Sequence, residues 1–80
     1  MNYSCPCCGY LTFTEEVCGT FEICPVCFWE DDSIQSKVPN YEGGANEISL
    51  LKARENFTKY GAVKEEFIGN VRKAFSTESP

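Results

Sequence analysis

Two Cys-x2-Cys pairs, Cys5-Pro6-Cys7-Cys8 and Cys24-Pro25-Val26-Cys27, stand fifteen residues apart and constrain this chain more than anything else in it. Paired cysteines at this spacing form two knuckles whose four thiolates close a tetrahedral metal cage. Each pair carries proline after its first cysteine, which pre-sets the backbone dihedral for a tight turn, and Gly9 follows the first pair. With Cys5, Cys8, Cys24 and Cys27 as ligands, no coordination position is left for a catalytic water, so the metal is expected to build structure. One Zn2+ per chain is the expected occupant. Iron is the alternative, because it too accepts four tetrahedral thiolates.

Eighty residues suffice for one domain. A core of that size is thermodynamically marginal and usually needs a disulfide, a metal or a partner subunit. A structural zinc contributes roughly 10–16 kcal/mol in small peptides, comparable with the whole stability of an ordinary domain. Without metal, residues 1–30 are therefore expected to unfold. The six cysteines could pair as disulfides in a secreted protein. However, Met1-Asn2-Tyr3-Ser4 runs straight into the first knuckle with no basic or apolar leader, which predicts a reducing, cytoplasmic setting. No apolar run approaches the roughly 18–20 residues of a membrane-spanning helix.

The charge is unevenly placed. Residues 1–48 hold Glu15, Glu16, Glu22, Glu30, Asp31, Asp32, Glu42 and Glu47 against Lys37 alone, a net of −7, while residues 49–80 carry +2. A divalent ion on four thiolates adds a further −2 to the acidic half. Phosphate contacts require clustered Lys and Arg, so the cysteine-rich half is not expected to bind nucleic acid. The basic positions Lys52, Arg54, Lys59, Lys64, Arg72 and Lys73 leave such binding as a secondary alternative for the other half.

Residues 10–14 alternate enough for a short strand, and Thr20-Phe21-Glu22-Ile23 reads as its return partner across a loop from Glu15 to Gly19. Phe13, Phe21 and Ile23 are the expected buried face. Residues 31–48 read as an ordered acidic and glycine-containing loop, pinned by Trp29 and Tyr41. Ser49 caps a helix to Tyr60, with Leu50, Ala53, Phe57 and Tyr60 on one face and Gly61 as its stop. Phe67, Val71 and Phe75 recur every four residues and predict a second helix from Lys64 to Phe75. The tail, residues 77–80, is expected to fray. The expected whole is a small α+β metal-stabilised domain. It comprises a zinc-ribbon or rubredoxin-like knuckle hairpin at residues 1–30, the loop at 31–48 and a two-helix lobe at 49–76.

The run Cys5-Pro6-Cys7-Cys8-Gly9-Tyr10, together with Glu22-Ile23-Cys24-Pro25-Val26-Cys27-Phe28-Trp29-Glu30-Asp31-Asp32 and Gly43-Gly44-Ala45-Asn46, resembles the small bacterial cysteine-rich CPCC family over about residues 3–62. That resemblance implies a small metal-binding domain, and leaves the helix from Lys64 onward to pattern alone. The knuckles also resemble those of rubredoxin, an iron electron carrier. Against it, Phe28 stands where the second rubredoxin knuckle has glycine, and Glu30-Asp31-Asp32 and the helices do not match.

Cys7 and Cys18 are left over. Their acidic, thiolate-rich setting argues against a nucleophile or redox pair, so one is expected to pack as a small hydrophobe and the other to be an incidental surface thiol. A lesser alternative has Cys7 replace a neighbouring ligand. Glu30, Asp31 and Asp32 read first as a solvated loop or the first turn of a helix, and Phe28, Trp29 and Tyr41 first as core. As a surface, these six residues would instead form a partner-binding patch. Gly43-Gly44 is expected to relieve a left-handed turn. The chain holds no histidine, which removes the usual triads and histidine-containing hydrolase sites. A non-enzyme that binds another protein, of accessory or immunity type, is the resulting expectation.

Overall fold

A computed structural model describes residues 2–17 and 19–80. The elements run β1 (Tyr3–Ser4), β2 (Leu11–Phe13), α1 (Ser33–Lys37), α2 (Leu50–Tyr60), a 3-10 helix at Glu65–Asn70 and a 3-10 turn at Ser76–Glu78. The sheet differs from expectation. β2 pairs antiparallel with β1, with Tyr3 opposite Phe13 and Ser4 opposite Leu11. Residues 21–23 pair instead with the chain just beyond the second knuckle, through an Ile23–Glu30 bridge and the bonds Phe21 N–H to Asp31 O and Asp31 N–H to Glu22 O, both 3.0 Å. Each knuckle is thus the turn of its own small hairpin, with the strand ends paired directly on either side of the two cysteines. Phe13 is fully buried as expected, whereas Phe21 and Ile23 are 59% and 44% exposed.

The acidic loop contains an unexpected helix. Asp32 caps α1 by accepting from the Ile34 and Gln35 amides at 2.9 and 3.0 Å, and also from Ala45 N–H at 3.0 Å. These amide donors, Gln35 foremost, hold the Asp32 carboxyl below its usual value. Gln35, fully buried, then organises the return of the chain. Its Nε2 donates to the carbonyls of Tyr41, Asn46 and Ile48, and its Oε1 accepts from Asn46 N–H and Nδ2 at 2.9 Å each. Asn46 in turn brackets the backbone of Glu30 through its carbonyl and amide groups. A Cβ on Gly44 would lie 2.8 Å from Asp32 Oδ2 and from Gln35, so glycine is required where the loop presses onto this network. Gly43 takes the left-handed conformation, φ 88°.

α2 follows its sequence signals. Ser49 Oγ accepts from Lys52 N–H at 3.1 Å, Gly61 ends the helix at φ 79°, and Leu50 and Ala53 are buried. The expected second helix does not form. Glu65–Asn70 is 3-10, and Val71 leaves it extended at φ −121°, ψ 165°. Gly69, Asn70 and β-branched Val71 are poor helix formers, and tertiary bonds take over beyond them. Arg72 N–H reaches Pro25 O at 3.1 Å, in the second knuckle. The tail does not fray either. Arg72 clamps Glu78 with two parallel bonds of 2.9 and 2.8 Å, Glu78 also accepts from Phe75 N–H at 2.8 Å, and the guanidinium lies 3.8 Å from the Phe75 ring centre.

Candidate metal centre

The two knuckles have the same wiring. Cys5 N–H donates to Tyr10 O at 2.9 Å and Gly9 N–H to Cys5 O at 2.8 Å; Cys24 N–H donates to Trp29 O and Phe28 N–H to Cys24 O, both at 2.8 Å. Each turn therefore needs a left-handed residue four positions after its first cysteine. The first knuckle uses Gly9 at φ 81°, and the second uses Phe28 at φ 74°. A bulky residue there costs roughly 1–2 kcal/mol of backbone strain. The Phe28 ring is held in exchange against Phe67, with centroids 4.7 Å apart.

The expected ligands converge. The sulfurs of Cys5, Cys8, Cys24 and Cys27 all lie within 4.8 Å of one another. Cys5 and Cys27 sulfurs are 3.6 Å apart, and those of Cys8 and Cys24 are 3.7 Å apart. These separations exceed the roughly 2.05 Å of a disulfide. They match the edge of about 3.8 Å expected for a tetrahedron with metal–sulfur bonds of about 2.3 Å. The four-cysteine group could therefore hold a metal ion. Cys5, Cys24 and Cys27 are buried and Cys8 is half-buried. Thr12, directed inward by β2, places Oγ1 3.0 Å from Cys24 Sγ, where its hydroxyl donates to a thiolate.

The electrostatics of the four sulfurs call for a cation. The Cys27 thiol is pushed far up, chiefly by Cys24 and then Cys5, and Cys5 is pushed up chiefly by Cys24. Cys24 is pulled far down by the S–H groups of Cys27, Cys5 and Cys8, in that order, against the opposing effect of burial. Cys8 is lowered because Cys27 and Cys5 together outweigh the opposing effect of Cys24. Four thiols this close resist losing their protons together, and a divalent ion would displace those protons.

The other candidate residues separate. Cys7 is buried in the core beside the cage but lies outside the four-sulfur group, and Cys18 lies outside the described residues. Trp29 and Asp31 have no exposed surface, so neither presents a side chain to a partner. Asp31 accepts from Gly19 and Thr20 amides, Thr20 Oγ1 and Ser36 Oγ, each at 3.1 Å. Phe28, Glu30 and Asp32 are half-buried and Tyr41 is exposed. The acid run is therefore one buried tie, one helix cap and one half-buried side chain. The signals missed in the sequence were Thr12, Gln35 and Asn46, polar residues with no periodic pattern to mark them as buried.

The cage is clasped from α2 and the segment beyond it, through Arg54 Nε to Pro6 O at 2.9 Å and Val63 N–H to Cys27 O at 2.8 Å. Such an arrangement defines a small cysteine-rich domain with two equivalent knuckles around one potential metal site. The chain belongs to the family described as Cysteine-rich CPCC, whose match spans residues 3–78. That span extends past the motif-bearing part and takes in the segment after Lys64. The comparison with curated proteins found no match. No helix among the described residues is long and apolar enough to cross a membrane.

Proposed function

We propose that this chain is a zinc-stapled module without catalytic activity, which acts by binding another protein in an accessory or immunity-type role. The observation that carries it is the closed cage: four sulfurs at tetrahedral spacing, three of them buried, leave no open coordination position. Zinc suits such a site because it has no redox chemistry and accepts four thiolates. The partner is expected to be basic, since residues 1–36 contain no Lys or Arg and an acidic face speeds encounter with a positive one. Nucleic acid fits poorly. Lys52, Lys64 and Arg72 are each paired with a carboxylate, and Arg54 is bonded to Pro6 O.

Iron is the second reading, favoured by half-buried Cys8, which would give electrons a route to the surface. Elemental mass spectrometry on untagged protein purified without added metal separates the two. About one zinc per chain is expected; one iron, with thiolate-to-iron absorption that bleaches on reduction, would replace this reading with an electron carrier. Capture of a basic protein from the native host, lost at high salt, is the expected outcome for the partner, and no capture above background counts against it.

A further inference from the structure

A groove of about 650 Å3 opens where the metal lobe meets the rest of the chain. Tyr10 and Val26 come from the knuckles, Phe57 and Tyr60 from the end of α2, and Ile68 and Phe75 from the C-terminal segment. The volume is that of an ordinary small-molecule site, about 300–1,000 Å3, and the lining is largely apolar. Its charge opposes that of the molecule. The chain carries −5, yet the groove has no acidic lining residue and two basic ones, Arg72 and Lys73. Arg72 is committed to Glu78 and the Phe75 ring. Lys73 has no ion-pair partner among the described residues. The other large concavity shows no such bias, since Lys52, Lys59 and Lys64 are matched there by Glu55, Glu65 and Glu66.

We propose that this groove binds an amphipathic carboxylate, with an aliphatic or aromatic body against Tyr10, Phe57, Tyr60 and Ile68 and its anionic head at Lys73. The apolar lining selects the body, and a single exposed ammonium outside any ion pair selects the sign of the head. The knuckles supply part of the wall, and Arg72 N–H to Pro25 O fastens the tail to the second knuckle, so the groove is assembled only when the metal lobe is folded. The proposal rests on the metal-bound fold and is independent of any protein partner.

The test is an amide NMR titration of metal-loaded full-length protein with decanoate and, separately, decyltrimethylammonium, which has the same chain length and the opposite charge. Non-specific attraction to a molecule of net −5 favours the cation, whereas the groove favours the anion. Decanoate is expected to move the amides of Tyr10, Tyr60, Ile68 and Phe75, with the cation several-fold weaker there. Lys73→Glu lowers decanoate affinity about two- to fivefold, the worth of a partly exposed charge pair, and Ile68→Glu removes the groove shifts. Metal content measured on the same samples separates a lost cage from an empty groove. Equal or tighter binding of the cation, decanoate shifts scattered outside the groove, or unchanged affinity in Lys73→Glu would overturn the proposal.

Discussion

The knuckle lobe and the segment after Lys64 contrast in how they are specified. In the knuckles, covalent spacing, prolines and four sulfurs dictate the geometry locally, and the same turn is built twice with different residues at its left-handed position. After Lys64, a helical period is present in the letters but the chain follows tertiary partners instead, namely Phe28 for Phe67, Pro25 for the Arg72 amide and Arg72 for Glu78. The lesson is that ligand spacing is a strong constraint because metal binding is worth many kilocalories, while a short amphipathic period is a weak one.

The contrast breaks most visibly at the cage. Cys24→Ser should abolish stoichiometric metal binding and unfold residues 2–32, an effect larger than about 5 kcal/mol given the usual worth of structural zinc. Metal content and a thermal melt check it. Next comes the polar hub. Gln35→Ala would strand the carbonyls of Tyr41, Asn46 and Ile48 and the Asn46 amide, and should cost roughly 2–4 kcal/mol in denaturant melts with the metal retained.

A smaller effect sharpens the comparison between the knuckles. Phe28→Gly relieves the left-handed backbone but loses the Phe67 contact, so its stability should fall within about 1 kcal/mol of the parent. Phe28→Ala keeps the strain and loses the contact, and should be about 1 kcal/mol less stable than Phe28→Gly. A Phe28→Ala variant more stable than Phe28→Gly, as at an ordinary position, would mean that the φ of 74° carries no cost.

The smallest effect belongs to the tail. Arg72, followed by the Phe75 amide, lowers the Glu78 carboxyl from 4.5 to about 2. Because the folded value is depressed, the clamp's contribution is present above the ordinary value and is lost as pH falls from about 4.5 toward 2. Phe75 side-chain NMR shifts should move toward free-chain values over that range. Glu78→Gln should show the released tail already at neutral pH, with the metal still bound.

The legible part of the fold was what short-range chemistry writes directly. This covers the convergence of the four cysteines, the Ser49 and Gly61 ends of α2, and the Gly43-Gly44 turn. Strand pairing was misread because alternation in residues 20–23 marks an extended chain without saying which neighbour it meets. The knuckle turns decide that, since the backbone bonds that shape each one, Cys5 N–H to Tyr10 O and Cys24 N–H to Trp29 O, already bring its own two flanks together. α1 was hidden because it is only five residues long and is held by the Asp32 cap and the Gln35–Asn46 network, which pairs residues eleven apart. Asp31 shows the same limit: within a run of three acids, only its contacts reveal it as a buried tie.

The most direct test of the central claim is the two-dimensional amide spectrum of the protein stripped of metal and then titrated with zinc. The account predicts collapsed dispersion for residues 2–32 in the stripped protein, restored in full at one equivalent. A stripped chain that keeps the native spectrum would show that the four-sulfur cage does not hold this fold together.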